Sequence, residues 1–255
     1  MERLFIVILF FVLTLCPAPA RADDGVVVAS GAMGWRPYLM LDQTNGKVTG
    51  VLHDILQLAC DNLGLSLIFA DYPWKRALDN LQHGDVDVLC GIYWTESRSK
   101  ALRYSKPVFK DEIRIFVTEP FKMDSLDDLK GKKGDRPLGG SYGDDFDEYA
   151  RKNLDLTQVT TKELSFSRLQ RGFTEYYVCA LADCMHYLKT QGLTDEIRPL
   201  PYVVAVNNVY FAFSRSSKNP QRDTALIEEL ERLRKDGTVD RILYSYCPTI
   251  SPSAP

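Results

Sequence analysis

After an apolar stretch at residues 4–15, no part of the 255-residue chain approaches another long hydrophobic run. Crossing a bilayer takes about 20 apolar residues, so the sequence does not read as a membrane protein. Blocks of like charge are also missing. The formal net charge is -3, with neither a basic patch for nucleic acid nor a polybasic stretch for an anionic membrane surface. Histidine is scarce: His53, His83 and His186 stand apart from any metal-ligand spacing, and no metal site is expected. There is no fixed-period repeat. No Ser/His/Asp or Cys/His pattern supports nucleophilic catalysis, so neither catalytic residues nor a cofactor are expected.

What is present begins with a leader. Arg3, the apolar residues 4–15 and Ala20-Arg21-Ala22 before Asp23 have the layout of a cleavable signal peptide, 1–22, which predicts export to the periplasm. Cys16 followed by Pro17 is a poor site for a lipid anchor. Removal of the leader leaves Cys60, Cys90, Cys179, Cys184 and Cys247 in an oxidising compartment, an odd number. A local Cys179–Cys184 bridge is favoured over one joining Cys60 to Cys90, which would have to pack a helix against a strand. A composition of 45% hydrophobic and 25% charged residues is that of an ordinary globular protein, enough for one large or two modest domains.

Along the chain, Val26-Val27-Val28 reads as a strand opening into a Gly/Pro loop at 31–38. Leu52, Ile55, Leu56, Ala59 and Leu63 fall at helical spacing before Gly64, residues 65–69 read as a strand, Trp74, Ala77, Leu78 and Leu81 form another helical stripe, and residues 86–90 form a buried strand. This alternation predicts a parallel sheet. Residues 119–136 are polar and charged and read as a lobe boundary. The alternation then restarts, with a helix from about Tyr142, a strand at 176–181, a helix at 184–189, a β-rich run at 209–213, and two final helices carrying Leu226 to Leu233 and Ile242 to Tyr246. The Pro/Ser-rich residues 248–255 are expected to fray.

Six segments carry a resemblance in their order and spacing: Trp35-Arg36-Pro37-Tyr38, Gly50-Val51-Leu52-His53-Asp54-Ile55, Pro73-Trp74-Lys75-Arg76-Ala77-Leu78, Gly91-Ile92-Tyr93-Trp94-Thr95-Glu96-Ser97-Arg98, Tyr104-Ser105-Lys106-Pro107 and Ser125-Leu126-Asp127-Asp128-Leu129-Lys130-Gly131. Together they resemble bacterial extracellular solute-binding proteins of family 3, the polar amino-acid-binding type. The resemblance implies an α/β, two-lobed periplasmic-binding-protein fold of type II, each lobe a mainly parallel sheet flanked by helices, with two hinge crossings. It divides the mature chain into lobe 1, 23–116 and 212–255, and lobe 2, 117–211.

The family's Thr-x-x-Arg motif maps onto Thr95 and Arg98, which implies that Arg98 offers its planar guanidinium to a ligand carboxylate as two parallel charge-assisted bonds. Without the resemblance, a surface arginine paired with Glu96 or Asp111 is the better reading. Trp74 reads as a stacking wall or as core, and Tyr38 as an aromatic closing the other side of the ligand or packed on its own lobe. Ser141 and Tyr142, in the glycine-rich turn before the second-lobe helix, could face an anion or merely start the helix. Tyr93 replaces a small hydroxyl residue common in the family. The aspartate that takes the ligand's ammonium is not at its expected place, where Cys179 or Ala180 stands. Asp183 could substitute if a Cys179–Cys184 disulfide reshapes the loop; as an ordinary helix cap it would not.

The implied function is capture of a small carboxylate-bearing ligand, an amino acid or a relative, by a monomeric protein for uptake through an ABC permease. A sensor kinase could read the closed form equally well. The fold also resembles cyclohexadienyl dehydratases, but no poised acid–base pair is apparent here.

Overall fold

A computed structural model describes residues 25–42 and 44–246. The expected leader with Cys16, Cys247 and the C-terminal tail lie outside the described residues. The β-branched run after Asp23 forms β1 (Val26–Gly31). A small hairpin of β2 (Met40–Leu41) and β3 (Val48–Thr49) follows, and then α1 (Val51–Asn62), whose Val51, Leu52, Ile55, Leu56, Ala59 and Cys60 are buried on one face. β4 (Ser66–Phe69), α2 (Trp74–His83) and β5 (Val88–Tyr93) complete the first alternation. β4 and β5 pair with β1 in parallel from either side, Val28 opposite Ile68 and Ser30 opposite Leu89. Short α3 (Glu96–Ser99) and β6 (Leu102–Tyr104) lead to β7 (Phe109–Val117).

A 3-10 turn at Leu126–Leu129 precedes β8 (Lys133–Pro137), α4 (Asp144–Asn153), β9 (Asp155–Val159), α5 (Lys162–Gln170), β10 (Tyr176–Ala180) and α6 (Leu181–Gln191). The 17-residue β11 (Arg198–Ser214) then runs back through the sheet before α7 (Pro220–Lys235) and α8 (Thr238–Tyr246). The strand order is β4-β1-β5-β11-β7-β10-β8-β9, with β6 also paired to β11. Three parallel strands stand at each end, β4-β1-β5 and β10-β8-β9. β7 and β11 pair antiparallel with each other and join the two ends.

The buried side chains separate into two sets. One draws on residues up to Phe109 and from Val209 onward. The other draws on Ile113 to Leu200, with Tyr202, Val204 and Ala205 against it. The changeover falls inside β7 and β11, the two crossings of a two-lobed α/β fold.

The polar stretch 119–136 is less of a linker than its composition suggests, because it contains most of β8. Gly134 is buried and Asp135 fully so. A Cβ on Gly134 would lie 2.3 Å from the Tyr176 ring, so the strand needs glycine for that ring to pass. Asp135 is balanced by Arg168, which donates to it at 2.8 and 3.3 Å. Hydropathy cannot find a strand whose interior is a glycine and a salt-bridged aspartate.

Candidate functional site

A cavity of about 670 Å³ lies between the two sets of strands, within the range of small-molecule sites. One wall comes from the loop after β1, the start of α2, the end of β5 and α3. The other comes from the loop after β8, the start of α5, the end of β10 and the first turn of α6.

Arg98 and Trp74 both line it. α3 begins at Thr95, whose hydroxyl accepts the Arg98 backbone N–H at 3.2 Å. Thr95 is buried and does not face the cavity; it fixes the turn that aims Arg98 inward. The guanidinium donates to the Tyr93 carbonyl at 3.1 Å and the Gly139 carbonyl at 3.4 Å, two of its five N–H groups. It forms no ion pair with any carboxylate among the described residues, so neither Glu96 nor Asp111 takes it. Burial pushes its pKa below the ordinary value, with nearby Tyr104 and Asp147 opposing, but an arginine stays charged. Its Cζ sits 5.7 Å from the Trp74 ring centre, and the Trp74 indole N–H donates to the same Gly139 carbonyl at 3.0 Å.

Tyr38 does not reach the cavity. It is 1% exposed in the first core and stacked on Phe109 with ring centres 4.2 Å apart. Trp35, which sequence reasoning passed over, lines the cavity instead. Its signal was Gly91 on β5, the strand beside β1: Gly91 has φ 80°, and a Cβ there would lie 2.5 Å from the Trp35 ring and 2.7 Å from Leu52. Only glycine leaves room for the indole.

Tyr93 lines the cavity with its ring, because its hydroxyl donates to Asp111 at 2.5 Å. Asp111 is 3% exposed, and burial pushes its pKa up to about 7 despite that hydrogen bond. Tyr142 likewise spends its hydroxyl on the Val178 carbonyl at 3.0 Å. Ser141 faces the cavity, but its hydroxyl bonds Asp147, which also pairs with Arg136 at 2.8 Å. A carboxylate from within the protein therefore already meets the turn's hydroxyl.

Cys179 and Cys184 are bridged, and Cys60 and Cys90 are buried free thiols. At that bridge, on the first turn of α6, Asp183 does face the cavity. It ion-pairs with Lys162, and the Arg36 backbone N–H donates to it at 3.0 Å from the opposite wall. Burial raises its pKa, with Lys162 opposing. Lys162 also donates to the Gly34 carbonyl at 3.2 Å. Sequence reasoning missed Lys162 because α5 has little apolar periodicity to announce it.

The contacts from Lys162 and Asp183 to the loop after β1, and from Trp74 and Arg98 to Gly139, cross between the two walls. So does the bond from the Glu96 N–H to Asp144, at 2.9 Å. The arrangement is a cleft bridged by these bonds, with the Arg98 guanidinium buried in its wall and ion-paired with no carboxylate of the described residues. No group of three or more His, Cys, Asp or Glu among the described residues could hold a metal.

A family model described as bacterial extracellular solute-binding proteins, family 3, matches residues 27–249. Among curated proteins, a probable amino-acid-binding protein, YxeM, of Bacillus subtilis is 24% identical, covering 95% of this chain and 93% of its own length. A putative ABC transporter arginine-binding protein of Escherichia coli is also 24% identical, covering 88% and 90%. Among solved structures, a histidine kinase sensor domain with similarity to periplasmic binding proteins superposes with a TM-score of 0.77 at 24% identity, over 89% of this chain and 98% of that one. The substrate-binding protein of an amino acid ABC transporter gives 0.74 at 23% identity, over 88% and 100%. These likenesses establish the type II periplasmic-binding-protein fold.

Proposed function

The chain belongs to the bacterial extracellular solute-binding proteins, family 3, and on that premise we propose that it captures a small carboxylate-bearing solute between its lobes in the periplasm, for uptake through an ABC permease. The observation that carries this reading is Arg98: a buried guanidinium on the wall of a large cavity, ion-paired with no carboxylate among the described residues. Burying such a charge is unfavourable unless something pairs with it. A ligand carboxylate would take its free N–H groups in charge-assisted bonds worth roughly 1.5–3 kcal/mol each.

Trp74 and Tyr93 supply the apolar walls, and closure brings up the Ser141–Tyr142 turn and Asp183. The lobes divide near the 116/117 and 211/212 boundaries that the resemblance implies, with the hinges within β7 and β11 a few residues toward the changeover of cores. The protein acts by binding and closing as a monomer, without chemistry on the solute; the named relatives are likewise binding proteins. Reading by a signalling kinase is the second possibility, supported by the sensor-domain likeness.

Thermal unfolding with panels of amino acids, other carboxylates and amines tests the proposal. A solute at 100 times its Kd adds roughly 2.7 kcal/mol. We expect a carboxylate to raise Tm, and Arg98→Met to abolish that rise while costing the free protein no more than about 1–2 kcal/mol for the two lost bonds to carbonyls. An undiminished rise in the variant would remove Arg98 from the site.

A further inference from the structure

The buried wall of the cavity carries three ionised side chains: Arg98, Lys162 and Asp183. Lys162 and Asp183, whose side chains are only 16% and 11% exposed, pair with each other. Each is tied as well to the backbone of the facing loop, at Gly34 and Arg36. Their charges cancel. Arg98 has no such partner among the described residues, so their buried wall sums to one positive charge. Asp71, Lys75 and Glu163 also border the cavity but are exposed, where water and salt screen them.

Between the charges the wall is aromatic. The Tyr93 and Tyr142 hydroxyls and the Trp74 N–H are spent on the protein's own groups, so these residues present rings more than donors. Trp35, Tyr72 and Tyr177 add three further rings.

We propose that the solute is a monocarboxylate with an aromatic body and no ammonium group, and that the Lys162–Asp183 pair is what rejects α-amino acids. This rests on Arg98 being the carboxylate anchor. A monoanion neutralises the wall, whereas an α-amino acid brings an ammonium that needs a buried anion. Asp183 is the one carboxylate among the described residues that lies buried on this wall, and an ammonium drawn to it would sit beside that of Lys162, like charge against like charge in a medium of low polarity. Both contacts to Asp183 fall on Oδ1, so Oδ2 can accept from an uncharged donor. An α-hydroxy acid is therefore tolerated where an α-amino acid is not.

Two isosteric series test the proposal by calorimetric titration of the protein: 3-phenylpropionate, 3-phenyllactate and L-phenylalanine, then indole-3-propionate, indole-3-lactate and L-tryptophan. In at least one series the propionate or lactate is expected to bind at least tenfold more tightly than the amino acid. Lys162→Gln, which leaves Asp183 unbalanced, should narrow that ratio at least fivefold; an unchanged ratio overturns the role of the pair. Amino acids binding as tightly as their deaminated partners in both series overturn the proposal, and if Arg98→Met then abolishes their binding, the anchor stands without it. Failure of all four acids also overturns it. If a cationic or uncharged solute from the wider panel then binds, the carboxylate role of Arg98 falls too while solute binding remains.

Discussion

Asp111→Asn should change how stability depends on pH more than any other conservative substitution near the cavity. Asp111 sits on β7 opposite Asn207 of β11, where the chain crosses between lobes, and accepts the Tyr93 hydroxyl. Burial, with Asp183 as a nearby like charge, raises its pKa from the ordinary 3.8 to about 7. Between those values the folded protein retains a proton that the unfolded chain releases. Stability due to this group therefore falls as pH rises from about 4 to about 7, and is level above.

At about 1.4 kcal/mol per pH unit, a rise of roughly three units corresponds to a ceiling of about 4 kcal/mol. Relaxation around the anion will reduce it, and at least about 1 kcal/mol should survive. Asparagine keeps the shape and an acceptor for Tyr93 but carries no charge at any pH. Urea unfolding of both proteins at pH 4.5, 6 and 8 isolates Asp111 together with the groups coupled to it, chiefly Asp183, since titrations elsewhere cancel in the difference. The variant should gain on the wild type from pH 4.5 to about 7 and keep that gain at pH 8, where its Tm should be higher by roughly 2–4 °C per kcal/mol. Parallel pH profiles would refute the account of Asp111 as a buried, reluctantly ionised carboxyl.

Gly91→Ala should cost at least about 2 kcal/mol in urea unfolding, because the new methyl meets Trp35 and Leu52 from a backbone at positive φ; a loss under about 0.5 kcal/mol would mean that Trp35 is free to move. Replacing both Cys179 and Cys184 with alanine should cost about 2 kcal/mol, the loop entropy of a bridge spanning 5 positions. Unchanged urea midpoints for that double variant would show the bridge to be unnecessary to the α6 first turn.

Much of the architecture follows from side-chain periodicity alone. The stripes on α1 and α2 and the β-branched run of β1 declare their elements because the physics is local: one apolar face every 3.6 or 2 residues. The Cys179–Cys184 pair was legible for the same reason, being close in sequence. Arg98 and Trp74 stood out because their motifs occur in order, and both line the cavity. β8, β9 and α5 were not legible, since buried Asp135 depends on an Arg168 from a different element and polar residues matched across space look like surface in a one-dimensional reading.

Periodicity and the ordered motifs are enough to specify a two-lobed α/β solute-binding fold with an arginine a short way beyond a buried strand. Which aromatic lines the cavity, and what net charge its buried wall carries, follow instead from contacts between segments distant in the chain. Tyr38 and Trp35 are three positions apart in one loop, and the gap over Gly91 selects Trp35. Asp183 is an acid in the sequence, yet Lys162, 21 residues away, cancels its charge in the fold.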